Sequence, residues 1–286
     1  FPLMVDYEER LYAGGKIKGS RFIKREGRPT DEAILTGRMI DRGLRPLFND
    51  KIRNEVQVVC TVLSVDSENE PDVTAIIAAS TALSLSDIPW NGPIAGVRVG
   101  KVDGEYVLNP AYSQFEQTDL NLVFSGNGDS VIMIDADAKE STEDDMVAAF
   151  EFGNKTVQDI VALINEAVKA VGKEKKALTD IIPNETEETL KAKDEIIAKA
   201  EAFLADQIKP WLFEKEMPTK AVRKNSLDEI KKALKEYLVA EEVEEDLIGY
   251  AVGKSGKLIE NHVSDAILEH DKRVDGRSLT DIRPLS

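Results

Sequence analysis

Cysteine is almost absent from this chain of 286 residues. Cys60 stands alone, so neither an internal disulfide nor a thiolate zinc cluster can form. It lies in the apolar run from Val56 to Val62, where a buried small hydrophobe explains it better than a nucleophile does. Histidine is scarce too. His262 and His270 sit in a polar helical region, which suits surface or packing roles rather than catalysis or metal binding. There is no Ser/His/Asp arrangement to defend. No run of about 18 apolar residues occurs, which excludes a helix that crosses a membrane. No basic segment followed by an apolar one opens the chain, so no secretory leader is visible, and Phe1-Pro2-Leu3 begins without an initiator Met. No short internal repeat is present. A single cysteine is consistent with a reducing compartment.

The composition is that of a globular protein, 42% hydrophobic and 31% charged. The length suits about two domains. A formal net charge of −16 argues against nonspecific binding to nucleic acid or anionic lipid. The charge is unevenly spread, however. Between Gly14 and Phe48 stand Lys16, Lys18, Arg21, Lys24, Arg25, Arg28, Arg38, Arg42 and Arg45, against only Glu26, Asp31, Glu32 and Asp41. Phosphate contacts are local, so this basic island is more informative than the global sum.

Along the chain, residues 3–12 read as a strand broken by Gly14-Gly15, followed by a basic loop to about Pro29. Thr30 caps a helix whose first turn carries Asp31 and Glu32, and which stops before Pro46. Glu55 to Val65 is a β-branched run and predicts a buried strand. Pro71-Asp72 opens a helix of small residues to Leu85. Strands over 94–99 and 105–109 join through Asp103-Gly104, and strands over 119–125 and 130–136 through Gly126-Asn127-Gly128. Ser141 and Asp144 start a long helix to Gly172, with Gly153 as a weak point inside it. Residues 173–185 read as a linker. Helical patterns then run over Thr186–Lys209, Ser226–Ala240 and Val243–Glu269. The expected organisation is therefore an α/β domain over 1–172 and an all-helical domain over 186–270. The stretch over 271–286 reads as a lead-in to something further.

The segments over Gly19–Pro29, Arg38–Phe48, Asn54–Val58, Leu83–Ile94 and Val274–Ser286 together resemble the polynucleotide phosphorylase family. Gly19-Ser20-Arg21-Phe22-Ile23-Lys24-Arg25-Glu26-Gly27-Arg28-Pro29 is similar to its FFRREGRP loop, and Arg38 through Phe48 to its RLIDRPIRPLF helix. Asn54 to Val58, Leu83 to Ile94, and Val274 to Ser286 resemble further blocks, in the same order. The resemblance implies an RNase-PH-like α/β core domain lacking its first strands, then the all-helical domain, then the start of a second core domain that would carry the phosphate and metal sites. With strands missing, an exposed sheet edge and poor stability are expected. For the intact parent the resemblance implies a homotrimeric ring in the cytoplasm. That ring degrades single-stranded RNA from the 3′ end with inorganic phosphate and Mg²⁺, releases nucleoside diphosphates, and has the RNA-degradation machinery as a partner. No membrane is implied.

Phosphorolysis needs no protein nucleophile, because phosphate itself attacks. In the family the basic loop narrows the central channel and contacts RNA, a role that carries over to Phe22, Lys24 and Arg25. Phe22 offers a stacking face, and Lys24, Arg25 and Arg28 offer charge for phosphates. Two departures weaken this grip. Ile23 replaces an aromatic, and Lys24 puts a point charge where the family has a planar guanidinium. The alternative is a solvated basic loop. Arg38, Arg42 and Arg45 are four and three apart and share one helix face. That stripe suits either phosphate or salt bridges with acids such as Asp41. The wider alternative is a non-catalytic scaffold whose basic residues pair between subunits. Gly253-Lys254-Ser255-Gly256 lacks P-loop spacing, and its resemblance to a KH-type GXXG loop sits badly in acidic helical surroundings. Acidic pairs such as Asp135/Asp137 and Asp144/Asp145 are expected by chance in so acidic a chain. No catalytic or metal-binding residue is assigned.

Overall fold

The computed structural model describes residues 2–10, 13, 28–182, 186–213 and 219–282, with the side chains of 211–213 set aside. The chain divides into two compact units, Phe1–Pro183 and Asn184–Ser286.

The first unit is α/β. Strand β1 (Leu3–Glu9) and strand β2 (Val56–Val62) form a parallel pair, in register from Leu3 opposite Val56 to Glu9 opposite Val62. Parallel strands need a crossover, and helix α1 (Asp31–Leu44) supplies it. Thr30 caps α1 by accepting a hydrogen bond from the Ala33 amide at 3.0 Å, with Asp31 and Glu32 in the first turn. Pro46 does not end the helix abruptly, because the chain tightens into a 3₁₀ turn over Arg45–Leu47. Leu3, Tyr7, Val56 and Val58 face the core, while Met4 and Val59 lie exposed on the opposite face.

The second sheet is antiparallel, in the order β4-β3-β5-β6. Its strands are β3 (Ala95–Val102), β4 (Glu105–Leu108), β5 (Thr118–Gly126) and β6 (Val131–Ala138). The first hairpin turns at Asp103 and Gly104, with φ of 51° and 85°, the left-handed pair that a tight two-residue hairpin requires. The second is held by Asn127, whose Oδ1 accepts from the amides of Asp129 and Ser130 at 3.0 and 2.8 Å. Helix α2 (Asp72–Leu85) packs on β3 through small residues, and the Ser80 hydroxyl accepts from the Ile94 amide at 3.0 Å. A four-residue helix, α3 (Tyr112–Phe115), joins β4 to β5 and lies within a stretch where the sequence predicted no helix.

Helix α4 (Glu143–Val171) covers the other side of β3 and β5, where Ala149 and Val157 join Val97, Val99, Leu122 and Phe124 in one core. Its cap is Thr142, which accepts from the Asp145 amide at 3.2 Å, one residue beyond the Ser141/Asp144 start expected. Residues 173–182, expected as linker, are strapped to this unit. The Lys173 amide donates to the Leu85 carbonyl and the Lys176 amide to the Asp87 carbonyl, both at 2.9 Å. The Lys175 ammonium donates to the carbonyls of Leu83, Ser84 and Ser86 at 2.7, 3.0 and 2.7 Å, closing the C-terminus of α2. A short helix, α5 (Leu178–Ile181), adds Leu178 and Ile181 to the core.

The second unit is helical: α6 (Glu187–Phe213), α7 (Lys220–Ala240) and α8 (Glu245–His270). Pro210 lies inside α6 rather than ending it. Helix α7 begins six residues before the expected Ser226, because Thr219 caps it by accepting from the Val222 amide at 3.3 Å. Ile196, Ala200, Leu204 and Ile208 on α6, Ile230, Leu234 and Leu238 on α7, and Ala251, Leu258 and Ile259 on α8 form its core. Phe203 and Tyr237 stack with centroids 4.5 Å apart.

Gly153 is a point of close approach. A Cβ there would meet Phe124 Cε1 and Val99 Cγ2, both at 2.8 Å, and both residues are fully buried. Gly153→Ala would gain about 1 kcal/mol of helix propensity, but overpacking a filled core costs roughly 1–3 kcal/mol. We expect faster amide hydrogen exchange across α4 in this variant, and slower exchange would show that the core yields.

Candidate functional site

The predicted RNA-binding residues Phe22, Lys24 and Arg25 lie outside the described residues. Arg28 is exposed, just ahead of α1. The α1 stripe is described in full, and its three arginines are in different states. The Arg45 guanidinium donates to both oxygens of Asp41, at 2.8 and 2.7 Å, and to the Leu3 carbonyl at 2.9 Å. That fork-to-fork geometry, one helical turn apart, commits Arg45 to its own chain. Arg42 donates to Asp135 Oδ2 on β6 at 2.7 Å, with both side chains about half exposed. Such a pair contributes little and can be exchanged for another anion. The Arg38 side chain is exposed and makes no hydrogen bond or ion pair with a described residue. Among the described residues, one guanidinium of the stripe is therefore without a partner, one is exchangeable, and one is structural.

Beside this stripe lies a pocket of about 280 Å³. Its wall carries five carboxylates: Glu32 from α1, Glu70 and Asp72 at the start of α2, and Asp135 and Asp137 from β6. Alternation along β6 puts Asp135 and Asp137 on one face of the sheet. On the pocket floor is Arg98 of β3, with only 7% of its surface exposed. Its Nη2 lies 2.5 Å from Asp72 Oδ2 and 2.6 Å from Glu70 Oε2, and its Nη1 donates to Asn121 Oδ1 at 2.7 Å. The guanidinium also lies over the Phe115 ring, 5.5 Å from its centroid. Burial, then the neighbouring Asp72 charge, push the Glu70 carboxyl above the ordinary range, with Arg98 pulling the other way. Burial and nearby carboxylates likewise raise the Tyr7 and Tyr112 phenols.

A pocket so lined repels a phosphate. Nor does it suit a divalent cation, since Asp72 and Glu70 are engaged by Arg98. Among the described residues no group of three or more His, Cys, Asp or Glu is placed to hold a metal ion. Sequence reasoning missed Arg98. Its signal was a single charge inside Ile94-Ala95-Gly96-Val97-Arg98-Val99-Gly100, which must find a buried partner.

The remaining candidates are quickly placed. Gly253 and Gly256 lie within α8, so they form no KH-type loop. His262 and His270 are on the same helix. Burial raises the Cys60 thiol pKa, which makes it a poorer nucleophile.

Two models of the 3′ exoribonuclease family match in order, domain 1 over residues 1–89 and domain 2 over residues 92–156. The chain belongs to the 3′ exoribonuclease family. Over its whole length it is 45% identical to a polyribonucleotide nucleotidyltransferase of Bacillus pumilus, and 43% identical to those of Bacillus velezensis and Geobacillus kaustophilus. It spans 39% of the length of the first two relatives and 38% of the third. The two family models together cover the α/β core through the first half of α4. No helix among the described residues is long and apolar enough to cross a membrane.

Removing Arg98 would leave two carboxylates facing each other without a cation. Arg98→Met should cost about 3–5 kcal/mol at neutral pH. A carboxyl with a raised folded-state pKa stabilises fully below its unfolded value, and that stability is lost as pH rises through the folded value. Without Arg98 the Glu70 value rises further. The deficit in urea denaturation should therefore narrow as pH falls from about 8 to about 5, towards the ordinary glutamate range. A pH-independent deficit would show that Arg98 acts by packing alone.

Proposed function

We propose that this chain is part of a polyribonucleotide nucleotidyltransferase that degrades RNA 3′→5′ by phosphorolysis. This portion supplies ring wall and channel constriction in a homotrimer, and the phosphorolytic chemistry is carried by parts of the parent outside it. The observation that carries the proposal is similarity to such enzymes along all 286 residues.

In this view an oxygen of inorganic phosphate attacks the phosphorus of the terminal phosphodiester, and the bond from that phosphorus to the 3′ oxygen of the preceding nucleotide breaks. The shortened strand takes up a proton as its new 3′-hydroxyl, and the terminal nucleotide is released as a nucleoside diphosphate. The protein's task is to hold two anions together and stabilise charge. Phe22, Lys24, Arg25 and Arg28 hold the single strand by stacking and charge. Arg38 and Arg42 offer further phosphate contacts, supported by the open side chain of one and the exchangeable pair of the other. Mg²⁺ serves the intact parent, with ligands outside this chain, and no step is routed through the acidic pocket. The parent works in the cytoplasm with the RNA-degradation machinery. A second reading, that the basic residues serve a scaffold by pairing between subunits, draws nothing from Arg45, whose bidentate pair with Asp41 lies within one chain.

Two measurements test this. The isolated chain, given poly(A), phosphate and Mg²⁺, should release no ADP, and sustained release would place the chemistry here. Converting Lys24 and Arg25 to Ala should weaken binding of a single strand. It should also make the dependence of log K on log salt shallower by about 0.7 for every phosphate that the variant no longer neutralises. An unchanged slope would favour the scaffold.

A further inference from the structure

We infer that helix α7 carries a second track for the RNA backbone, on the flank lined by Lys220, Lys224, Lys231 and Lys235. The inference rests on the proposed RNA-handling role and adds a surface to it.

Helix α7 holds six basic residues, Lys220, Arg223, Lys224, Lys231, Lys232 and Lys235, against three acidic ones, Asp228, Glu229 and Glu236, in a chain of net charge −16. They are sorted by position. At 100° per residue, Lys220, Lys224, Lys231 and Lys235 fall within about 60° of one another. They run along one side of the seam made by Ile230, Leu234 and Leu238, while Glu229 and Glu236 fall on the far side of the helix. Asp228 lies beside the lysines. The track is about 22 Å long.

Lys220, Lys224 and Lys235 are exposed and Lys231 is half-buried. None of these four side chains makes a hydrogen bond or ion pair with a described residue. Among the described residues Lys232 pairs only with Glu236, at 3.9 Å with both side chains largely exposed, a pair too weak to neutralise it. Lysine stems are long and their ammonium donors rotate freely, which suits sequence-independent phosphate contact. A membrane surface fits less well, because an interfacial helix must offer its apolar face to lipid, and that of α7 is spent in the core. A polyanion held by charge alone is the occupant that fits, and single-stranded RNA is the one the proposed function brings.

The test uses the whole chain and a fluorescein-labelled oligo(A) strand, with anisotropy titrations over a range of KCl concentrations. Lys224→Gln, Lys231→Gln and Lys235→Gln combined should make the salt slope shallower by about 2, at 0.7 for each lysine. The same three positions as Arg should restore it. Circular dichroism checks that helix content is kept. Should the triple variant lose helix, Lys235→Gln alone, at an exposed site, should still lower the slope by about 0.7. A slope unchanged by the glutamines overturns the inference, as does a loss that arginine fails to restore. If in that case the Lys24/Arg25 variant does flatten the slope, the proposed function survives and only the α7 track falls. Absence of binding by the unaltered chain, or indifference to both sets of substitutions, overturns the track and the RNA-handling role together.

Discussion

Arg98 is a permanent positive charge in a strand otherwise made of valine, alanine, glycine and one lysine near its end, and the first unit is arranged to satisfy it. Guanidinium does not lose its proton in a protein, so burial leaves no escape but partners. Asp72 and Glu70 come from the start of α2, Asn121 from the neighbouring strand and Phe115 from α3. The start of α2, strand β3 and the adjoining α3 and β5 must arrive together. Exchanging such a cluster for apolar residues need not cost stability, but breaking it from one side does. The cluster therefore works as a constraint on where α2 and α3 sit against the sheet, more than as a source of net stabilisation.

The same constraint shapes the chemistry of the surface. With the charge of Arg98 spent inward, the pocket above it is dominated by carboxylates, and an anion finds no welcome there. Positive charge open to solvent survives only where the chain leaves arginine or lysine without a committed partner. On α1 a gradient runs from Arg38, with no partner among the described residues, through Arg42, half-exposed and paired across to β6, to Arg45, clamped to Asp41 and the Leu3 carbonyl. Spacing of four and three placed these side chains on one face. It carried no information on which of them a carboxylate from β6 or an adjacent turn would occupy.

Much of the architecture was legible because it is local. Thr30 with two acids, Asp103-Gly104, the glycine-flanked Asn127 and the β-branched run after Glu55 each specify an element through short-range physics, and the structure has those elements there, although the last is a shorter strand, Val56–Val62, exposed on one face rather than buried on both. What was missed depends on tertiary contact. Residues 173–182 look like linker because they are polar, yet the Lys175 stem and ammonium close the last turn of α2. Gly153 looks like a flaw in a helix, yet its missing side chain lets α4 approach Phe124. Pro210 looks like a stop, yet α6 runs three residues past it, because a proline removes one hydrogen bond and the apolar seam through Ile208 already holds the helix.

An acidic chain with local basic tracks has a physical logic for handling a polyanion. A net charge of −16 repels nucleic acid at long range, where contacts would be indiscriminate, but salt screens that repulsion beyond about 10 Å at moderate ionic strength. Inside that distance a strand meets individual side chains, and only an uncommitted cation can release counterions from it. Overall charge then limits where RNA lingers, while a few open lysines and arginines define where it is held. The pairing state of each basic side chain, rather than the number of them, is what separates a binding surface from a scaffold in this fold.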